Sequence, residues 1–141
     1  MSTHAQTERK FSVALESIQS KRRIERAMEA ANALLDRYAA EPDRVQRLTL
    51  AHELIRRNFT PEITLTFGDL TLSTGTPGSE FTGEFIFDCK LNGPDGTSGS
   101  LVAAYTAPGS LGLTGPEWLS AMRLLAGIAA LGAGGWMTCP R

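Results

Sequence analysis

The chain has 141 residues, 42% of them apolar and 21% charged, with a net charge of −1. That length fits a single domain and buries roughly 70% of the surface its unfolded form exposes, so the core needs neither a metal nor a disulfide. The near-neutral total gives no general pull toward nucleic acid or membrane.

The charge is nevertheless divided unevenly. Residues 1–60 carry 11 Lys/Arg and 8 Asp/Glu, a net of +3, and residues 61–141 carry 3 and 7, a net of −4. A basic half joined to an acidic half can steer a partner or favour head-to-tail self-association. The simpler account is that helices carry more Arg and Lys than strands do.

Residues 1–6 are polar and read as a frayed terminus with no signal peptide, so the reducing cytoplasm is the expected location. From Thr7 the pattern is helical. Phe11, Leu15 and Ile18 stand four and three apart on one face. The polar run Gln19 to Arg23 then interrupts the stripe. It resumes as Ile24, Met28, Ala31, Leu35 and Tyr38, flanked by Ala27 and Leu34. Either one long helix with a phase shift or two helices meeting near Ser20 satisfies this pattern. Glu41-Pro42-Asp43 ends it. A further helix is expected from about Arg44 to Arg57, with Val45, Leu48, Leu50, Ala51, Leu54 and Ile55 on its apolar side.

A hairpin follows. Ile63, Leu65 and Phe67 alternate with threonines, as do Leu70 and Leu72 with Thr71 and Ser73. Gly68-Asp69 between them suits a type II′ turn. Residues 74–80 read as a loop. Phe81 to Leu91 is the best-patterned strand, with Phe81, Phe85, Phe87, Cys89 and Leu91 on its core face. Asn92 to Gly96 is a turn. A fourth strand around Leu101, Ala103 and Tyr105 is apolar on both faces, which suits a central position.

After a second loop at 107–113, Thr114 and Glu117 have capping-box spacing, and Leu113 and Trp118 that of a hydrophobic staple. The helix they open should run to about Leu131, ended by Gly132, Gly134 and Gly135. It is apolar nearly all round, so it is expected to be buried. Fourteen residues after Arg123 are too few for a membrane span, which needs about 20.

The expected fold is α+β over residues 1–141 as one domain: N-terminal helices, a four-stranded antiparallel sheet and a buried C-terminal helix. Residues 1–6 and 136–141 are expected to be flexible tails.

No catalytic motif stands out. His52-Glu53-Leu54-Ile55-Arg56 begins like a zinc-protease helix, but Arg56 replaces the second histidine. His52 reads instead as a solvent-facing or capping residue. The glycine-rich loops lack phosphate-binding spacing, and no serine elbow occurs. Glu84 and Asp88, four residues apart on a strand, are roughly 13 Å apart and too distant to act on one bond. Cys89 and Cys139 show no metal or disulfide spacing.

Lys21, Arg22, Arg23 and Arg26 form a basic cluster that could meet a partner, and Arg56-Arg57 a separate basic pair. Interspersed Glu16, Glu25 and Glu29 argue against nucleic acid. The expectation is a small cytoplasmic protein-binding module acting without catalysis or cofactor: an adaptor, inhibitor or immunity-type protein that can form a homodimer. The alternative is an enzyme or small-molecule binder with its site between sheet and helices. A large exposed apolar patch favours the first and a deep mixed pocket the second.

Overall fold

A computed structural model describes residues 2–73, 85–106 and 111–139. The loop expected at 74–80, the strand start expected at 81–84 and part of the second loop, 107–110, lie outside the described residues. The elements run α1 (Ser2–Ala39), α2 (Arg44–Asn58), β1 (Ile63–Phe67), β2 (Leu70–Ser73), β3 (Ile86–Asn92), β4 (Ser98–Ala104), α3 (Gly115–Gly132) and β5 (Trp136–Thr138). The class is α+β, as the pattern of elements implies.

The strands form one antiparallel sheet in the order β2-β1-β4-β3-β5. β4 is central, in keeping with its two apolar faces. The β1–β2 turn has Gly68 at φ 58° while Asp69 keeps a negative φ, as a II′ turn requires. In β3, Phe87, Cys89 and Leu91 point into the core and Ile86, Asp88 and Lys90 point out. The outward face is polar, with hydroxyl pairs Thr64–Ser73 and Thr66–Ser100 at 3.1 Å.

The sheet has five strands, not four. The fifth occupies residues expected to be a flexible tail. Its cause is the end of α3, where the backbone N–H of Gly135 bonds to the carbonyl of Ala130 and that of Gly134 to Leu131, with Gly134 at φ 80°. This Schellman arrangement reverses the chain. A Cβ on Gly135 would stand 1.6 Å from the Asn92 carbonyl oxygen, so only glycine lets Trp136 reach its pairing with Asn92.

α3 lies on the inner sheet face. Trp118, Met122 and Leu125 are fully or almost fully buried, and the Trp118 indole N–H donates to the Phe59 carbonyl at 2.9 Å. Phe85, Tyr105 and Trp118 stack edge-on in a row, with centroids 5.9 and 5.6 Å apart. The Tyr105 hydroxyl donates to the Leu113 carbonyl. α2 packs beside α3 and against β1, burying Leu48, Ala51 and Ile55. The threonine cap and its reciprocal bond with Glu117 are present at the start of α3. No helix among the described residues is long and apolar enough to cross a membrane.

α1 is one unbroken helix of 38 residues that packs on α3 and α2. Its buried side is Ala27, Ala31, Leu34 and Tyr38. The sequence stripe placed Ile24, Met28 and Leu35 there as well, yet they are 47%, 49% and 42% exposed. The contact is turned toward the alanines because small side chains let two helix axes approach.

Candidate docking surface

The N-terminal half of α1 is solvent-exposed. Every described side chain from 7 to 19 is exposed, including Phe11 at 69%, Val13 at 65%, Leu15 at 44% and Ile18 at 50%. Among the described residues, seven of the twelve exposed large hydrophobic residues lie on this one helix. An α-helical period sets Phe11, Leu15, Ile18, Arg22 and Arg26 in one row, on the side opposite Ala27, Ala31 and Leu34.

Beside the body of α1 lies a groove. Ile24 and Met28 of α1 form one wall, Ala121 and Leu124 of α3 the other, and Leu113 and Pro116 close one end. Its volume is about 380 Å³ and its lining is almost wholly apolar. Leu124 is 42% exposed at its rim.

Glu117, which lines the groove, ties α1 to α3. Its carboxylate accepts from the Ser20 hydroxyl at 2.7 Å, from Arg23 Nε at 3.2 Å and from Arg23 Nη2 at 3.4 Å. The same carboxylate accepts from the Thr114 backbone N–H at 2.9 Å. That backbone bond first, then Ser20 and Arg23, hold its carboxyl well down, at about 2. The reason is that each donor stabilises the charged form.

The four basic residues therefore separate. Arg23 turns toward α3 and is engaged by Glu117. Lys21, Arg22 and Arg26 are exposed on α1. Arg22 and Arg26 extend the apolar row, and Lys21 stands on another flank. The Arg23–Glu117 pair spans 94 residues of sequence and had no local signal. The exposed wall of the groove was signalled only by large apolar residues on α1 beyond those its buried face uses.

His52 does not face solvent as expected. It is buried on the core side of α2, one position from Ala51, and hydrogen-bonds the Ile63 backbone. Its Nε2 has no hydrogen-bond partner among the described residues. Burial pushes the imidazole down from its ordinary value, so it is neutral at pH 7. Among the described residues, no group of three or more His, Cys, Asp or Glu is placed to hold a metal ion. The space between sheet and helices is filled by Leu65, Leu91, Leu101, Trp118 and Met122, all fully buried.

No family model, no curated protein and no solved structure matches the chain.

Proposed function

We propose that the protein is a non-catalytic binding module, of adaptor, inhibitor or immunity type, whose docking element is α1 and whose first partner is a second copy of the chain. The observation that carries this reading is the row Phe11, Leu15, Ile18, each close to half exposed or more among the described residues. A solvated helical stretch of this length is marginal in water, because its stability normally comes from packing an apolar face.

The groove between α1 and α3 is the complementary surface. Along α3 the groove is lined from Pro116 to Leu124, about 13 Å, and the row from Phe11 to Ile18 spans about 12 Å. The overhang cannot fold back into its own groove, because α1 continues as one helix to Ala39. The groove of a second copy is open to it. A twofold arrangement seats each overhang in the other copy's groove and uses the same contact twice. Phe11, Leu15 and Ile18 then meet Ile24, Met28 and Leu124, while Arg22 and Arg26 remain at the wet edge. An enzyme with a site between sheet and helices has less support, because that space is packed solid.

Sedimentation equilibrium on the full chain and on the Phe11→Ser, Leu15→Ser, Ile18→Ser variant tests the reading. The full chain should sediment as a dimer and the variant as a monomer with unchanged near-ultraviolet dichroism. A full chain that stays monomeric at high concentration overturns it.

A further inference from the structure

The two cysteines, 50 positions apart in sequence, meet at the edge of the sheet. β3 and β5 pair Asn92 with Trp136, Leu91 with Met137 and Lys90 with Thr138. One further step in this register sets Cys89 directly opposite Cys139. Opposed residues of an antiparallel pair share a face, and both thiols do turn toward the core side. Cys89 is buried, and Cys139 is half-buried against the same cluster. Cys139 Sγ also donates to Met137 Sδ at 3.8 Å, on the face that Met137 shares with it opposite Leu91. Directly opposed residues have Cα atoms about 4.5–5.5 Å apart, inside the range of about 4.4–6.8 Å that a disulfide spans.

The geometry points to Cys89 and Cys139 as a redox pair that closes an intrachain disulfide and staples the C-terminal strand to the sheet. The oxidant is a small disulfide of the glutathione class. Cys139 is the more accessible thiol, so its thiolate attacks one sulfur of that disulfide and expels one thiolate. The Cys89 thiol then loses its proton to solvent and attacks Cys139 Sγ, expelling the second thiolate. Two protein thiols are oxidised, and one small disulfide is reduced to two thiols. Burial, with the neighbouring Cys139 thiol, pushes Cys89 up to about 12, which makes it the slow, resolving partner. The short edge strand supplies whatever movement the bond needs, since only three of its residues are paired.

The bond would close a loop of about 50 residues that holds β4 and α3, so its effect on the unfolded chain is large. It would add a covalent tie to β5, which pairs with β3 through three residues and accepts at Thr138 from the Asn92 amide. The protein would then exist in a reduced form whose edge strand is held by non-covalent contacts and an oxidised form in which it is also covalently tied.

The test is to incubate the folded full chain with oxidised glutathione, block remaining thiols and map peptides by mass spectrometry. The Cys89→Ala and Cys139→Ser variants run in parallel. The expected product is an intrachain Cys89–Cys139 disulfide, lighter than the thiol form by two hydrogens. Its urea midpoint should rise and return on reduction, and both variants should lack the rise. A stable glutathione adduct on Cys139 without ring closure, a disulfide between chains, or a bond that forms only in denaturant would each overturn the proposal.

Discussion

Replacing Glu117 with alanine removes three ties at once. It deletes the acceptor for the Thr114 backbone N–H, the acceptor for the Ser20 hydroxyl and the partner of Arg23. Loss of a helix cap costs about 1 kcal/mol. The Ser20 and Arg23 bonds reach a charged acceptor whose side chain is only 18% exposed, and Arg23 is 22% exposed. These two together add about 1–2 kcal/mol after solvent screening. The expected total for Glu117→Ala is therefore about 2–3 kcal/mol, read from urea denaturation at pH 7.

Glu117→Gln should cost less, about 1 kcal/mol, because glutamine at this position still completes the capping box. The pH dependence separates charge from shape. The folded carboxyl lies below its ordinary 4.5, at about 2. Its contribution is then fully present above pH 4.5 and is lost as pH falls toward 2. The wild-type and Glu117→Gln curves should be apart at pH 7 and converge in acid. An alanine variant that loses less than about 0.5 kcal/mol, or a glutamine variant that keeps the wild-type separation at the lowest pH, would refute the role given to the Glu117 carboxylate.

Three other consequences follow from buried groups. Phe87→Ala should cost about 3–5 kcal/mol in urea denaturation, since the ring is 7% exposed on the core face of β3; a loss below about 1 kcal/mol would reverse that face. The Tyr38 hydroxyl is buried with no hydrogen-bond partner among the described residues, so Tyr38→Phe should be neutral or stabilise by about 1 kcal/mol in thermal unfolding; a clear loss would show a bond to the hydroxyl. His52 is held below its ordinary 6.5 by burial, so the unfolded state binds its proton first. The stability of its neutral form is present above pH 6.5 and declines as pH falls below it. His52→Gln should flatten that part of the stability curve, and an unchanged slope would place the titration elsewhere.

Local chemistry was legible in the sequence. The Gly68-Asp69 turn, the alternation of Phe87, Cys89 and Leu91, and the Thr114 cap all declare themselves within a few residues. They appear where the pattern puts them. What depends on distant partners was not legible. β5 is three residues long, too short for an alternation to register, and it exists because the Schellman turn delivers it to β3. The rotation of α1 is set by close approach to α3, where a Cβ on Gly132 would stand 2.8 Å from the Tyr38 ring; counting large apolar residues on α1 alone misjudges it. His52 was misplaced for a related reason. Its polarity outweighed its position one residue from Ala51, and only the fold supplies the Ile63 backbone that accommodates it. Of the docking surface, the row Phe11, Leu15, Ile18 was visible as a stripe, but a stripe does not say whether anything covers it. Arg23 was visible as a cation, and its carboxylate lies 94 residues away.

The central claim is that the projecting half of α1 is seated in a second copy, and amide hydrogen exchange along residues 7–20 tests it most directly. An unpacked helix of this length opens readily and exchanges fast at any protein concentration. A helix seated in the groove of another copy is protected in proportion to the dimer formed. The account predicts that protection of these amides rises with protein concentration, and that the Phe11→Ser, Leu15→Ser, Ile18→Ser variant shows no such rise. Fast exchange of residues 7–20 at every concentration, with the amides of Ala27 to Tyr38 fully protected, would contradict it.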